Sequence, residues 1–83
     1  MNKLSSNEVL RINIKYYRLL KGYTQASIAE VLEVDEKHYN RLENGVYNYT
    51  LKNLDILADF FDKEPWKLLK ETYTQEDIDK IKK

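Results

Sequence analysis

The stretch TQASIAEVLEVDEKHYNRLENG, Thr24 to Gly45, decides how this chain folds. It holds two short apolar-periodic runs, Ile28, Ala29 and Leu32, then Tyr39 and Leu42, with Val34 between them. Each spacing puts its apolar residues on one face of a helix. Glu33 and Val34 are too few to make anything but a turn. Thr24 and Asp35 stand just ahead of the two runs, where a short acceptor side chain caps a helix start. Asn44 and Gly45 stand where a helix stops. The stretch predicts two helices, residues 25–32 and about 36–44, folded sharply onto each other. It is also acidic: Glu30, Glu33, Asp35, Glu36 and Glu43 face only Lys37 and Arg41.

Working outward, Ser5 and Glu8 have capping-box spacing, and Leu10, Ile14, Tyr17 and Leu20 continue as an apolar stripe. A first helix follows over about 7–21, ended by Gly22. Residues 46–49 read as a loop. Thr50 caps a fourth helix with Leu51, Leu54, Leu57, Ala58 and Phe61 inward. Pro65 suits the first position of a fifth, carrying Trp66, Leu68 and Leu69. Thr74 and Asp77 cap a last, weakly apolar segment with Ile78 and Ile81, expected to fray. The fold expected is all-α, a compact five-helix bundle. Residues 1–73 form one domain and residues 74–83 a short helical extension or tail.

Composition narrows the function. With 83 residues and no cysteine, disulfides and thiolate metal sites are excluded, and His38 alone makes no zinc site. No apolar run approaches the ~18 residues of a membrane span, and the N-terminus lacks a signal pattern. A reducing cytoplasm is the expected compartment. No nucleophile, base and orienter occur together and no Gly-rich phosphate loop is present, so an enzyme is not expected, nor a cofactor. The 14 Lys and Arg balance the 14 Asp and Glu. Residues 1–23 nevertheless carry Lys3, Arg11, Lys15, Arg18 and Lys21 against Glu8 alone, which gives the first helix a basic face.

With YYRLLKGYTQ, SIAEVLEV, HYNRLENG and TLKNLDILADFF in that order, the chain resembles the Cro/phage-repressor helix-turn-helix family, lambda-repressor-like in fold. The resemblance covers about residues 10–69. It implies a sequence-specific, double-stranded DNA-binding transcription regulator, a repressor acting as a homodimer, with the third helix in the major groove. Gln25 and Asn44 match phosphate-contact positions. Glu36, Lys37, Asn40 and Arg41 face base edges, and His38 and Tyr47 flank them as phosphate contacts. Arg18 and Glu43 match a structural salt bridge between the first and third helices. Trp66, Leu69 and Tyr73 are the expected dimer surface.

Two departures from the family pattern matter. Glu33 replaces the usual small turn residue and must accept a left-handed backbone. Val46, Tyr47, Asn48 and Tyr49 replace the basic residues often found after Gly45, which leaves phosphate binding there to tyrosine hydroxyls, Asn48 and backbone N–H groups. The acidity divides into a cap (Asp35), an ion pair (Glu43) and a solvated side (Glu30 and Glu33). Glu36 keeps two readings, a helix-dipole partner or an acceptor for the cytosine amino group. Zero net charge keeps a second function open: a protein-interaction or antitoxin-like module on the same fold with weak DNA affinity.

Overall fold

Each capping residue marked in the sequence starts a helix. In the computed structural model, which describes residues 3–70 and 72–81, α1 runs Ser6–Leu20, α2 Gln25–Leu32, α3 Glu36–Glu43, α4 Leu51–Phe60, α5 Pro65–Lys70 and α6 Gln75–Ile81. The outermost positions of the two expected segments, residues 1–2 and 82–83, lie outside the described residues. Ser5 and Glu8 close a reciprocal capping box, the Glu8 N–H donating to Ser5 Oγ at 3.1 Å and the Ser5 N–H to Glu8 Oε1 at 3.0 Å. These bonds to Ser5, its N–H first, hold the Glu8 carboxyl below its ordinary pKa. The Thr24, Asp35 and Thr50 side chains accept from the N–H three residues on. The Thr74 hydroxyl likewise takes the Asp77 N–H, while Asp77 accepts from the Thr74 N–H at 2.8 Å.

No strand occurs among the described residues, and the architecture is an all-α bundle. Among those residues six helices occur, five in the expected order and α6 in the segment expected as a helical extension. The segment expected to fray is held because Ile78 is fully buried and α6 packs on α1. Burying one isoleucine contributes ~1.5–3 kcal/mol, and the reciprocal Thr74–Asp77 cap supplies the start that so short a helix needs.

The core is the expected apolar set with three exceptions. Leu51 is 79% exposed: it is on the stripe of Leu54, Leu57 and Ala58 by spacing, but it is the first residue of α4, one turn before the buried part of that stripe begins. Leu20, at the end of α1, is 51% exposed, and Val34 is half-buried in the turn. Their places are taken by Tyr49, Ile78 and, unexpectedly, Asn13. The Asn13 Nδ2 donates to the Leu68 carbonyl at 2.6 Å and its Oδ1 accepts from the Tyr73 N–H at 3.4 Å. A buried amide thus ties α1 to both ends of the α5–α6 connection. The Tyr49 N–H reaches Asn7 Oδ1 at 2.7 Å, which draws the loop after α3 onto the start of α1. Burial pushes the Tyr39 and Tyr49 hydroxyls well above the ordinary tyrosine pKa.

Replacing Ile78 by alanine is expected to cost about 2–5 kcal/mol of unfolding free energy. Urea denaturation followed by helical circular dichroism measures it, and a loss below 0.5 kcal/mol would return α6 to the status of a tail.

Candidate nucleic-acid interface

The turn between α2 and α3 works with a strained residue. Glu33 ends α2 at φ 59°, ψ 41°, a left-handed conformation that glycine adopts more easily. It is held by its own N–H donating to the Glu30 carbonyl and by the Val34 N–H donating to the Ala29 carbonyl. Val34, in the turn, packs against the core.

At the centre lies the Glu43 carboxylate, on a residue 1% exposed. Arg18 Nε donates to Glu43 Oε1 at 2.9 Å and Nη2 approaches the same oxygen at 2.8 Å. Arg18 Nη1 donates to the Tyr23 carbonyl at 2.9 Å. The other carboxylate oxygen, Oε2, accepts from Gln25 Nε2. Gln25 Oε1 in turn accepts from Asn40 Nδ2 at 3.0 Å, and Asn40 Oδ1 accepts from Asn44 Nδ2 at 3.0 Å. A row of three amides therefore runs from the buried ion pair across α2 onto the exposed side of α3. The spacing of Asn40 and Asn44, one helical turn apart, was the sequence signal for its outer half. Nothing in the sequence marked the bond from Glu43 to Gln25, since it depends on how α2 and α3 cross.

The remaining site residues divide by position. Glu36, Lys37 and His38 are exposed on the first turn of α3, and Arg41 is half-buried one turn after Lys37. The Tyr47 ring packs against the His38 ring with centroids 5.1 Å apart, and Arg41 Cζ lies 6.0 Å from the Tyr47 centroid. His38, Arg41 and Tyr47 thus share one edge of α3. The expectation that backbone N–H groups after Gly45 bind phosphate meets a different use of those groups. The Gly45 N–H donates to the Leu42 carbonyl, and those of Val46 and Tyr47 to the Arg41 carbonyl, closing the end of α3.

The expected dimer set is split. Trp66 and Leu69 are 53% and 39% exposed on α5. The Tyr73 ring stacks on Tyr16 at 3.6 Å and 11°, with its hydroxyl 3.2 Å from that of Tyr17, so most of its surface serves the chain's own packing. Leu69 also lines a groove of about 340 Å³ together with Leu10, Leu51 and Leu54. A larger groove of about 550 Å³ carries Asp55, Asp59, Asp62 and Glu64 with Lys63 and Lys67, and shares no residue with α2 and α3. Among the described residues, no helix is long and apolar enough to cross a membrane, and no group of three or more His, Cys, Asp or Glu is placed to hold a metal ion.

Two helices crossing at a left-handed turn, with the second presenting a polar outer face, define a helix-turn-helix. The family model described as helix-turn-helix matches residues 14–65, more than half of the chain, which belongs to the Cro/phage-repressor-like helix-turn-helix family. It is a DNA-binding helix-turn-helix protein. No curated protein and no solved structure gives a match.

Arg18→Ala is expected to destabilise the domain by about 3–5 kcal/mol, because it leaves the Glu43 carboxylate buried without its cation. Thermal and urea unfolding measure the loss. Base preference, determined on the folded fraction, is expected to stay unchanged.

Proposed function

We propose that this protein is a sequence-specific transcription regulator of the repressor type, which reads the major groove with α3 as a homodimer. The observation that carries the reading is the polar row Gln25, Asn40 and Asn44, continuous with the exposed side of α3 and fixed from below by Glu43. A base-reading surface needs donors and acceptors at fixed positions, and this row supplies both. In this reading Glu36, Lys37, Asn40 and Arg41 meet base edges. Gln25, His38, Asn44 and Tyr47 meet the backbone on either side.

Gln25 and Asn40 each use two bonds inside the protein and Asn44 one, and every amide keeps others for DNA. Asn40 keeps one N–H and one lone pair of its carbonyl oxygen, the combination that adenine accepts in the major groove. Arg41 supplies the guanidinium fork suited to guanine O6 and N7. Glu36, exposed and without a protein partner among the described residues, accepts from the cytosine amino group.

Arg41 and Gln25 are expected to fail differently when removed. Arg41→Ala relaxes preference at one position per half-site and costs ~1–3 kcal/mol there. Gln25→Ala weakens all duplexes and leaves the salt slope unchanged, because a neutral amide releases no counterion, and it touches preference only at the position read by Asn40, which it orients. Gln25 and Asn40 are bonded, so their alanine variants combine non-additively, with a coupling of ~0.5–3 kcal/mol. Site selection from random duplexes, followed by binding of each variant to single-base changes, tests the set. If Gln25→Ala changes base preference beyond the position read by Asn40 while Arg41→Ala weakens every sequence equally, α3 is not the reading element.

One recognition helix reads only a few base pairs, and a symmetric pair reaches useful affinity. Trp66 and Leu69, exposed three residues apart on α5, are the proposed contact with a second copy, with the exposed part of Tyr73 as the third member. Sedimentation is expected to show a dimer, and Trp66→Ala to weaken it. A species that stays monomeric at high micromolar concentration, with and without DNA, would rule the pairing out.

A further inference from the structure

No cation follows Gly45 in the sequence, where Val46, Tyr47, Asn48 and Tyr49 stand. The fold brings one there from α1. A Cβ built on Gly45 would lie 3.2 Å from Arg11 Nε, 3.3 Å from its Cδ and 3.9 Å from its Cζ. The end of the Arg11 side chain therefore crosses directly over the Gly45 backbone. Gly45 is in the left-handed region at φ 82°, which closes α3 without strain and leaves room for the arginine.

Arg11, Lys15 and Arg18 fall at i, i+4 and i+7 on α1, one face of the helix. Arg18 is turned inward and neutralised by Glu43, the ion pair found among the described residues. Arg11 is half-buried and has no hydrogen-bond or ion-pair partner among those residues. Glu8, three residues earlier, acts on it only through space, because its carboxylate is held by Ser5 in the helix cap. Nor is Arg11 needed to satisfy the end of α3. The Asn40, Arg41 and Leu42 carbonyls already accept from the N–H groups of residues 44–47. Its guanidinium thus lies over Gly45, the next residue in the chain after Asn44, with its donors uncommitted.

We infer that Arg11 is a phosphate-binding residue of the DNA interface, which supplies from α1 the positive charge that the loop after α3 lacks. The inference rests on the DNA-binding reading above. The ligand is a backbone phosphodiester, met by guanidinium N–H groups in a fork that suits two phosphate oxygens. The contact is independent of base sequence and adds one released counterion to binding.

The test is fluorescence anisotropy on a random duplex over a salt series, for the unaltered protein and for Arg11→Gln, Arg11→Met and Arg11→Lys. The Gln and Met variants are expected to flatten the slope of log affinity against log salt by about 0.9. Their affinity then falls about 3.5-fold less between 50 and 200 mM salt than that of the unaltered protein, by the same relation. The Lys variant keeps the slope, and none of the three changes base preference on a selected site. Circular dichroism confirms that each is folded, and the two uncharged variants guard against one of them disturbing α1. A folded Gln or Met variant with an unchanged slope, whether or not it melts earlier, overturns the inference and makes Arg11 a cover for Gly45. A Lys variant that loses the slope also overturns it. If the unaltered protein shows no salt-dependent binding, the DNA-binding reading fails and this one with it.

Discussion

The Glu43 carboxylate is the group on which the arrangement of α1, α2 and α3 depends. Taking a carboxylate out of water costs several kcal/mol unless its charge and lone pairs are met. Arg18 from α1 meets one oxygen and Gln25 from α2 meets the other. Three helices are therefore located relative to one another by a single side chain at the end of α3. A hydrophobic contact in that place would be as stabilising but indifferent to small rotations. Hydrogen bonds weaken quickly when their angles change. The crossing of α2 and α3 is thus fixed in angle as well as in distance.

The same carboxylate sets the direction of the amide row. An ionised carboxylate only accepts, so Gln25 must turn its NH₂ toward Glu43 and its oxygen toward α3. Asn40 then has to present its own NH₂ to Gln25, and Asn44 to Asn40. The orientation of three amides follows from one buried charge. The acidic character of the segment, unexpected for a DNA reader, resolves along these lines. Asp35 caps α3 through the His38 N–H, Glu43 orients the polar face, and Glu30 and Glu33 are solvated.

What was legible in the sequence was local. Ser5, Thr24, Asp35, Thr50 and Thr74 mark helix starts because the cap acts within three residues, and all five serve as caps. The strain at Glu33 was legible through the resemblance, which puts a small turn residue at that position. What escaped depends on packing between distant segments. Asn13 drew no reading from the sequence, and only the approach of Leu68 and Tyr73 gives its amide partners in the core. Tyr49 looked like loop, and the Asn7 side chain draws it inside. Ile78 seemed too isolated to hold a helix, and its burial against α1 supplied what the periodicity lacked. For the site, α3 and its outward residues followed from the family resemblance, while the bonds joining Glu43, Gln25 and Asn40 required the crossing angle.

The two buried tyrosines give the domain an optical reporter of its own opening. The Tyr39 and Tyr49 hydroxyls lie 3.5 Å apart in the core, and burial raises both above the ordinary value of 10.0. Because the folded form resists ionisation more than the unfolded one, their contribution to stability is complete below that value. It declines as the pH rises beyond it. Tyrosinate absorbance from this pair then develops only as the core admits solvent, in step with the loss of helical signal. A phenolate band and a dichroism curve, recorded on one alkaline titration, would time the exposure of the Arg18–Glu43 neighbourhood without any label.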